Sequence, residues 1–129
     1  MGDHGAQSRP GVLGLDHVQV AMPAGQEDRA RAFYRDILGM QEVAKPPALS
    51  SRGGCWFSAG TAQVHVGVET DFRPARKAHP GLVVGGLDEL LEKCRAAGLA
   101  VKPAEAIDGR RRVHVNDFFG NRIELIESV

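Results

Sequence analysis

Two periods alternate along the chain. From Leu15 to Met22 the residues alternate: Val18, Val20 and Met22 fall on one face, His17 and Gln19 on the other. That is the pattern of a half-buried strand. Pro23, Ala24 and Gly25 break it. From Glu27 to Leu38 the spacing becomes helical, with Ala30, Phe33, Tyr34 and Ile37 inward and Arg29, Arg31, Arg35 and Asp36 outward. Gly39 is placed to close that helix in a left-handed cap. Short strands are expected around Gln41 to Ala44, Gly54 to Ser58 and Ala62 to Glu69, followed by a charged linker from Asp71 to Ala78.

The second half repeats the plan. His79 to Val84 is strand-like, and Leu87 to Ala97 is helical with Leu87, Leu90, Leu91 and Cys94 inward; Gly98 ends the helix. Strands follow near Leu99 to Lys102, Arg111 to Val115 and Arg122 to Ile126. The order is strand, helix, three strands, twice. Gly39 to His65 and Gly98 to Glu124 are both 26 residues apart, so one duplication pairs His17 with His79 and His65 with Glu124.

Sorting each strand by face gives an apolar set (Val18, Val20, Met22, Val64, Val66, Val68, Leu82, Val84, Val113, Val115, Ile123, Leu125) that should pack under the helices. The opposite set holds four of the five histidines, His17, His65, His79 and His114, with Gln19, Gln63, Arg112 and Glu124. A curved sheet would make this set the lining of a cup. Imidazole and carboxylate suit a divalent transition metal, and two histidines with one carboxylate leave positions open for a substrate. Each histidine taken singly reads first as a polar residue on a solvated face; three histidines and a glutamate at duplicated positions favour a metal. Gln19 or Gln63 is expected to hold the second ring nitrogen of a ligating histidine.

Composition narrows the classes. At 129 residues, 43% hydrophobic and 25% charged, the chain is expected to be one globular domain from residue 11 to 129, after a loose tail over 1–10. Sixteen basic and sixteen acidic residues cancel, which argues against a nucleic-acid or membrane-surface binder. No apolar run approaches the ~20 residues of a bilayer span. Met1 to Pro10 shows no signal-peptide core, and Cys55 and Cys94 are too few for a disulfide scaffold, so a cytoplasmic setting is expected. Both cysteines read as structural.

Three stretches carry a family resemblance: Leu-Asp-His-Val at 15–18, Arg-Ala-Phe-Tyr-Arg-Asp-Ile-Leu-Gly-Met at 31–40, and Asp-Phe-Phe-Gly-Asn-Arg-Ile-Glu-Leu-Ile-Glu at 117–127. On these the chain resembles the vicinal oxygen chelate superfamily, which includes glyoxalase I, fosfomycin-resistance enzymes, extradiol dioxygenases and bleomycin-binding proteins. The resemblance implies an α+β fold of two tandem βαβββ modules, here 14–69 and 79–127, forming a curved, partly closed mixed sheet with helices outside. It implies a homodimer with the site between modules.

Carried over by position, His17, His79 and Glu124 match the metal ligands, and His65 stands where glyoxalase I has a second glutamate. His65 is then a fourth ligand or a base beside the ion, and Glu124 a ligand or proton acceptor. Phe118 replaces the usual proline of the Asp-Pro turn, a change expected to alter the turn and leave the site alone. The cofactor implied is one divalent metal: Zn, Ni, Mn, Co or Fe.

Trp56, Arg112 and His114 are candidate substrate contacts: Trp56 as an apolar wall or, equally, a packing residue, Arg112 for an anionic group or, equally, part of a solvated turn, and His114 as pocket lining or an exposed residue before general acid–base. Arg73, Arg76, Lys77, Arg110 and Arg111 read as solvated. The leading expectation is a metal-dependent isomerase or lyase on a small oxygenated substrate. A metal-free binding module of the bleomycin-resistance type and an Fe(II) dioxygenase remain as alternatives.

Overall fold

The computed structural model describes residues 9–129. Most of the expected 1–10 tail lies outside those residues. The first module runs β1 (Val18–Met22), a short helix α1 (Glu27–Ala30), β2 (Gln41–Val43), β3 (Cys55–Ala59) and β4 (Ala62–Val68). The second runs β5 (Gly81–Val84), α2 (Leu87–Ala96), β6 (Val101–Ile107), β7 (Arg110–Asn116) and β8 (Arg122–Glu127). The elements match the sequence reading in order and type, which makes this an α+β fold of two βαβββ modules.

Differences in extent have local causes. α1 does not remain α-helical to Leu38: from Arg31 to Ile37 it widens into π-helical turns, and Leu38 N–H bonds back to Phe33 O. The four expected apolar residues, Ala30, Phe33, Tyr34 and Ile37, are buried all the same. β6 runs on to Ile107 because it pairs with the long β7, with a register shift between Ala104 and Ile107. Gly39 takes φ +75° after the π turns, the left-handed conformation expected of it.

The strands hydrogen-bond in two four-stranded sheets, β1-β4-β3-β2 and β5-β8-β7-β6, each with one parallel pair beside antiparallel ones. Neither sheet closes. The inner faces supply the core: Val64, Val66, Val113, Val115, Ile123 and Leu125 are buried against Phe33, Tyr34, Leu87, Leu91 and Cys94. At ~25 cal/mol per Å² of apolar surface removed from water, this shared core is the main force joining helices to sheets.

Polar contacts fasten one module to the other. Asp117, 2% exposed, accepts from the backbone N–H of Phe119 and Asn121, from Asn121 Nδ2, and from the hydroxyl of Tyr34 at 2.6 Å. Asn121 Nδ2 also donates to Ala21 O on β1 at 2.7 Å. The β7–β8 turn of module two is thereby tied to the helix and first strand of module one. Phe118, where proline is usual, packs edge-on to Phe33, with Arg29 5.7 Å from its ring centre. Among the described residues no helix is long and apolar enough to cross a membrane.

Candidate metal centre

The polar faces carry two clusters, one on each sheet. On the second, register decides the assembly. Glu124 stands opposite His114 across the antiparallel β7–β8 pair and beside Gly81 across the parallel β5–β8 pair, next to the chain arriving from His79. Each of His79, His114 and Glu124 offers one ligand atom, and these atoms lie within 4.8 Å of one another, close enough to hold a metal ion.

His79 Nε2 is 2.9 Å from Glu124 Oε1 and its Nδ1 is 2.7 Å from Lys77 O. A backbone carbonyl only accepts, so Nδ1 carries a proton and Nε2 is left facing a carboxylate. With Nδ1 as the donor, Nε2 presents its lone pair toward the carboxylate, the arrangement in which a divalent metal would be held between the two. His114 Nε2 is buried without a hydrogen-bond partner, 3.8 Å from Glu124 Oε1. Burial and then the neighbouring His79 lower the His114 pKa, which favours its neutral, metal-binding form.

Glu124 is 8% exposed. Burial pushes its pKa up, but hydrogen bonds from Arg112 and His79 outweigh that and hold it below the ordinary value, so the carboxylate is ionised. Arg112 Nη1 donates to Oε2 at 2.6 Å and its Nε to Glu105 O at 2.8 Å. Oε2 is thus held, and Oε1 points toward the two histidines.

The first sheet carries the other cluster. His65 pairs across the strands with both Trp56 and Gln19, and its ring is stacked between His17 (centroids 4.0 Å apart) and Trp56 (3.8 Å, planes 3° apart). The sandwich leaves His65 5% exposed with Nε2 unpartnered. Burial first, then His17, lowers its pKa, so the ring is neutral. His17 is exposed, and Asp16 accepts from its Nδ1 at 2.8 Å.

Of the four ligands expected from sequence, the structure brings His79 and Glu124 together, sets His17 and His65 together on the other sheet, and adds His114 to the first pair. The glutamines do not hold the ring nitrogens. Asp16 and Lys77 O do so, because each is one or two residues from its histidine and needs no long-range placement. Gln19 instead lies across Gly67, where a Cβ would meet its Nε2 at 2.7 Å.

His114 was legible as part of this group by counting. The Asp117–Asn121 turn makes β7 and β8 a hairpin, so residues equally distant from Phe119 face each other, and His114 meets Glu124. The cysteines are buried, and burial pushes the Cys55 thiol up to about 11, which leaves it protonated and a poor nucleophile.

Residues 14–125 match the Glyoxalase/Bleomycin resistance protein/Dioxygenase superfamily. A glyoxalase family protein from Bacillus anthracis is 45% identical, with 94% of this chain and 99% of that one covered and a TM-score of 0.85. The fosfomycin resistance protein FosX from Listeria monocytogenes shares the fold at 19% identity, over 92% of this chain and 94% of its own, with a TM-score of 0.71. A FosX variant from the same organism, solved with Mn(II) and 1S,2S-dihydroxypropylphosphonic acid, matches at 18% identity, over 89% and 90%, with a TM-score of 0.71. No protein of curated function matches the chain. By its motifs, its paired modules and a family match that spans both of them, the chain belongs to the Glyoxalase/Bleomycin resistance protein/Dioxygenase superfamily.

Proposed function

We propose that this protein is a metal-dependent enzyme acting on a small oxygenated substrate, with isomerase- or lyase-type chemistry. The observation that carries the reading is His79, whose two ring nitrogens both face acceptors, beside a carboxylate that is buried yet ionised. His79 and Glu124 would hold the ion, with His17 completing the set, and His114 and His65 as further nitrogen donors beside it. A bound divalent ion supplies Lewis-acid stabilisation of negative charge developing on a substrate oxygen. FosX, which shares the fold, has been solved with Mn(II).

The residues divide the remaining work. Arg112 fixes Oε2 and so aims Oε1 at the histidines, where it would hold the ion or, once released from it, accept a substrate proton. His65 Nε2, neutral and unpartnered, is a second proton acceptor on the facing sheet. The stacked Trp56 keeps water from one side of that ring.

His17 and Glu124 stand on different sheets, so we assign the complete site to a homodimer in which module one of one protomer faces module two of its partner. Exposed apolar side chains on either side of this division, Val12 at 93%, Leu13 at 70% and Leu15 at 80% beside His17, and Val83 at 62% on β5, are surface for such a contact.

Metal analysis by mass spectrometry, after incubation with Mn, Fe, Co, Ni or Zn, tests the reading. The expected result is about one ion per chain, lost in both His79→Ala and Glu124→Ala with the fold intact. Full retention in both variants removes the ligand assignment. A binding role without catalysis is the second reading, and absence of metal with every ion tested selects it.

A further inference from the structure

A concavity lies on the polar face of module one, at the Trp56 end of the His17–His65–Trp56 stack, and all of its lining residues belong to that module. Its volume is about 240 Å³, and Gln19, Lys45, Leu49, Arg52, Trp56 and Gly67 are among its lining residues. Two cations and no carboxylate contribute to that lining. Lys45 is half-buried, its ammonium anchored on Gly53 O, which leaves two of its three N–H groups to donate elsewhere. Arg52 follows in the short Ser50–Arg52 turn, and among the described residues neither cation pairs with an acidic side chain.

Backbone conformation builds the recess. Gly53 and Gly54 take φ +74° and +85°, and a Cβ on Gly54 would stand 2.2 Å from Val66 O, so only glycine lets this loop fold so close to β4. Gly67 opens the floor: with no side chain there, the Gln19 amide lies across it as a donor and acceptor. One face of the Trp56 indole is taken by His65, and the ring is half-buried at the edge of the recess.

We propose that this recess recognises a small planar organic anion, with the carboxylate met by Lys45 and Arg52, the flat body against Trp56 and Leu49, and Gln19 as the orienting hydrogen-bond partner. A charged acceptor makes hydrogen bonds about twice as strong as a neutral one does. Aromatic planes stack on indole at little entropic cost. The volume lies below the ~300–1,000 Å³ of drug-sized sites, so the ligand is of single-ring size. The inference names the substrate class of the enzyme proposed above and rests on that reading for its catalytic meaning; the binding itself needs no metal.

Trp56 is the chain's single tryptophan, so its fluorescence reports on this recess alone. Metal-free protein is titrated with benzoate and, separately, with benzamide, its neutral isostere, at constant ionic strength, with calorimetry as the second readout. Saturable benzoate binding is expected, with benzamide at least about tenfold weaker. Lys45→Gln with Arg52→Gln should cut benzoate affinity at least about tenfold and leave benzamide unchanged. Gly67→Val should abolish binding of both while circular dichroism shows an unaltered fold.

No saturable binding to the wild-type protein by either readout, equal affinity for the two probes, or an unaffected double variant would each overturn the proposal. Metal content measured on the same preparations separates the two readings. Metal bound without benzoate affinity leaves the enzyme standing and removes the recess; benzoate bound by a protein that takes up no metal does the reverse.

Discussion

Tyr34 is the chain's single tyrosine, fully buried, and its hydroxyl donates to Asp117 Oδ2 at 2.6 Å. Burial, with the Asp117 charge adding to it, raises its pKa well above the ordinary 10.0. The folded chain therefore keeps a proton that the unfolded chain loses near pH 10. This contribution to stability is complete below that pH and is lost as pH rises beyond it toward the folded value. Alkaline titration followed by phenolate absorbance should show no ionised tyrosine until the protein unfolds; a smooth native titration near 10 would contradict the buried contact. Tyr34→Phe removes one of the hydrogen bonds on a buried carboxylate and should cost about 1–3 kcal/mol by urea denaturation. An unchanged midpoint would show that Phe119 and Asn121 satisfy Asp117 without it.

The same scale shows where sequence reading stops. That His65 is buried was not visible from an alternating strand, because its burial comes from ring stacking between His17 and Trp56, which depends on three strands in register. Arg112 was expected to face a substrate anion; that its guanidinium meets Glu124 follows only once β7 and β8 are paired.

Elements were the most legible level, since burial on one side of a strand or helix writes a period into the sequence. Val64 and Val66, and Val113 and Val115, fall on the core face as their alternation requires. The widening of the first helix into π turns left no mark, because the buried positions are the same in either geometry. The contact that demands glycine at position 54 left no mark in the pattern either. Gly54→Ala would set a Cβ 2.2 Å from Val66 O at φ +85°, whereas at Gly60 (φ +56°) nothing lies within 4 Å. The Gly54 change should cost more than the ~1–3 kcal/mol of a strained backbone residue, and Gly60→Ala should cost only that strain, at about 1 kcal/mol. Equal urea midpoints for the two variants would contradict the close approach of the loop to β4.

At the scale of the whole molecule, duplication is what the sequence states most clearly: the equal 26-residue spacings anticipate two sheets of like topology. It does not say how the two polar faces meet. Within one protomer the modules are joined through Asp117, Asn121 and Tyr34, while His17 and Glu124 lie on separate sheets and, among the described residues, the histidines that gather with the Glu124 carboxylate are His79 and His114. The proposed site shared across a two-fold axis would resolve that division, because each protomer would then offer both halves to its partner. Under that arrangement the chain is a dimer at micromolar concentration by light scattering, and a monomer that binds metal at full stoichiometry would refute it.

The most direct test mixes two variants, His17→Ala and Glu124→Ala, each expected to bind no metal alone. After unfolding, mixing and refolding in equal amounts, random pairing makes about half of the dimers mixed, each with one intact site of two, so metal should return to about a quarter of the wild-type level. If the mixture binds no more metal than the separate variants, the ligands are not shared between protomers and the proposed site is wrong.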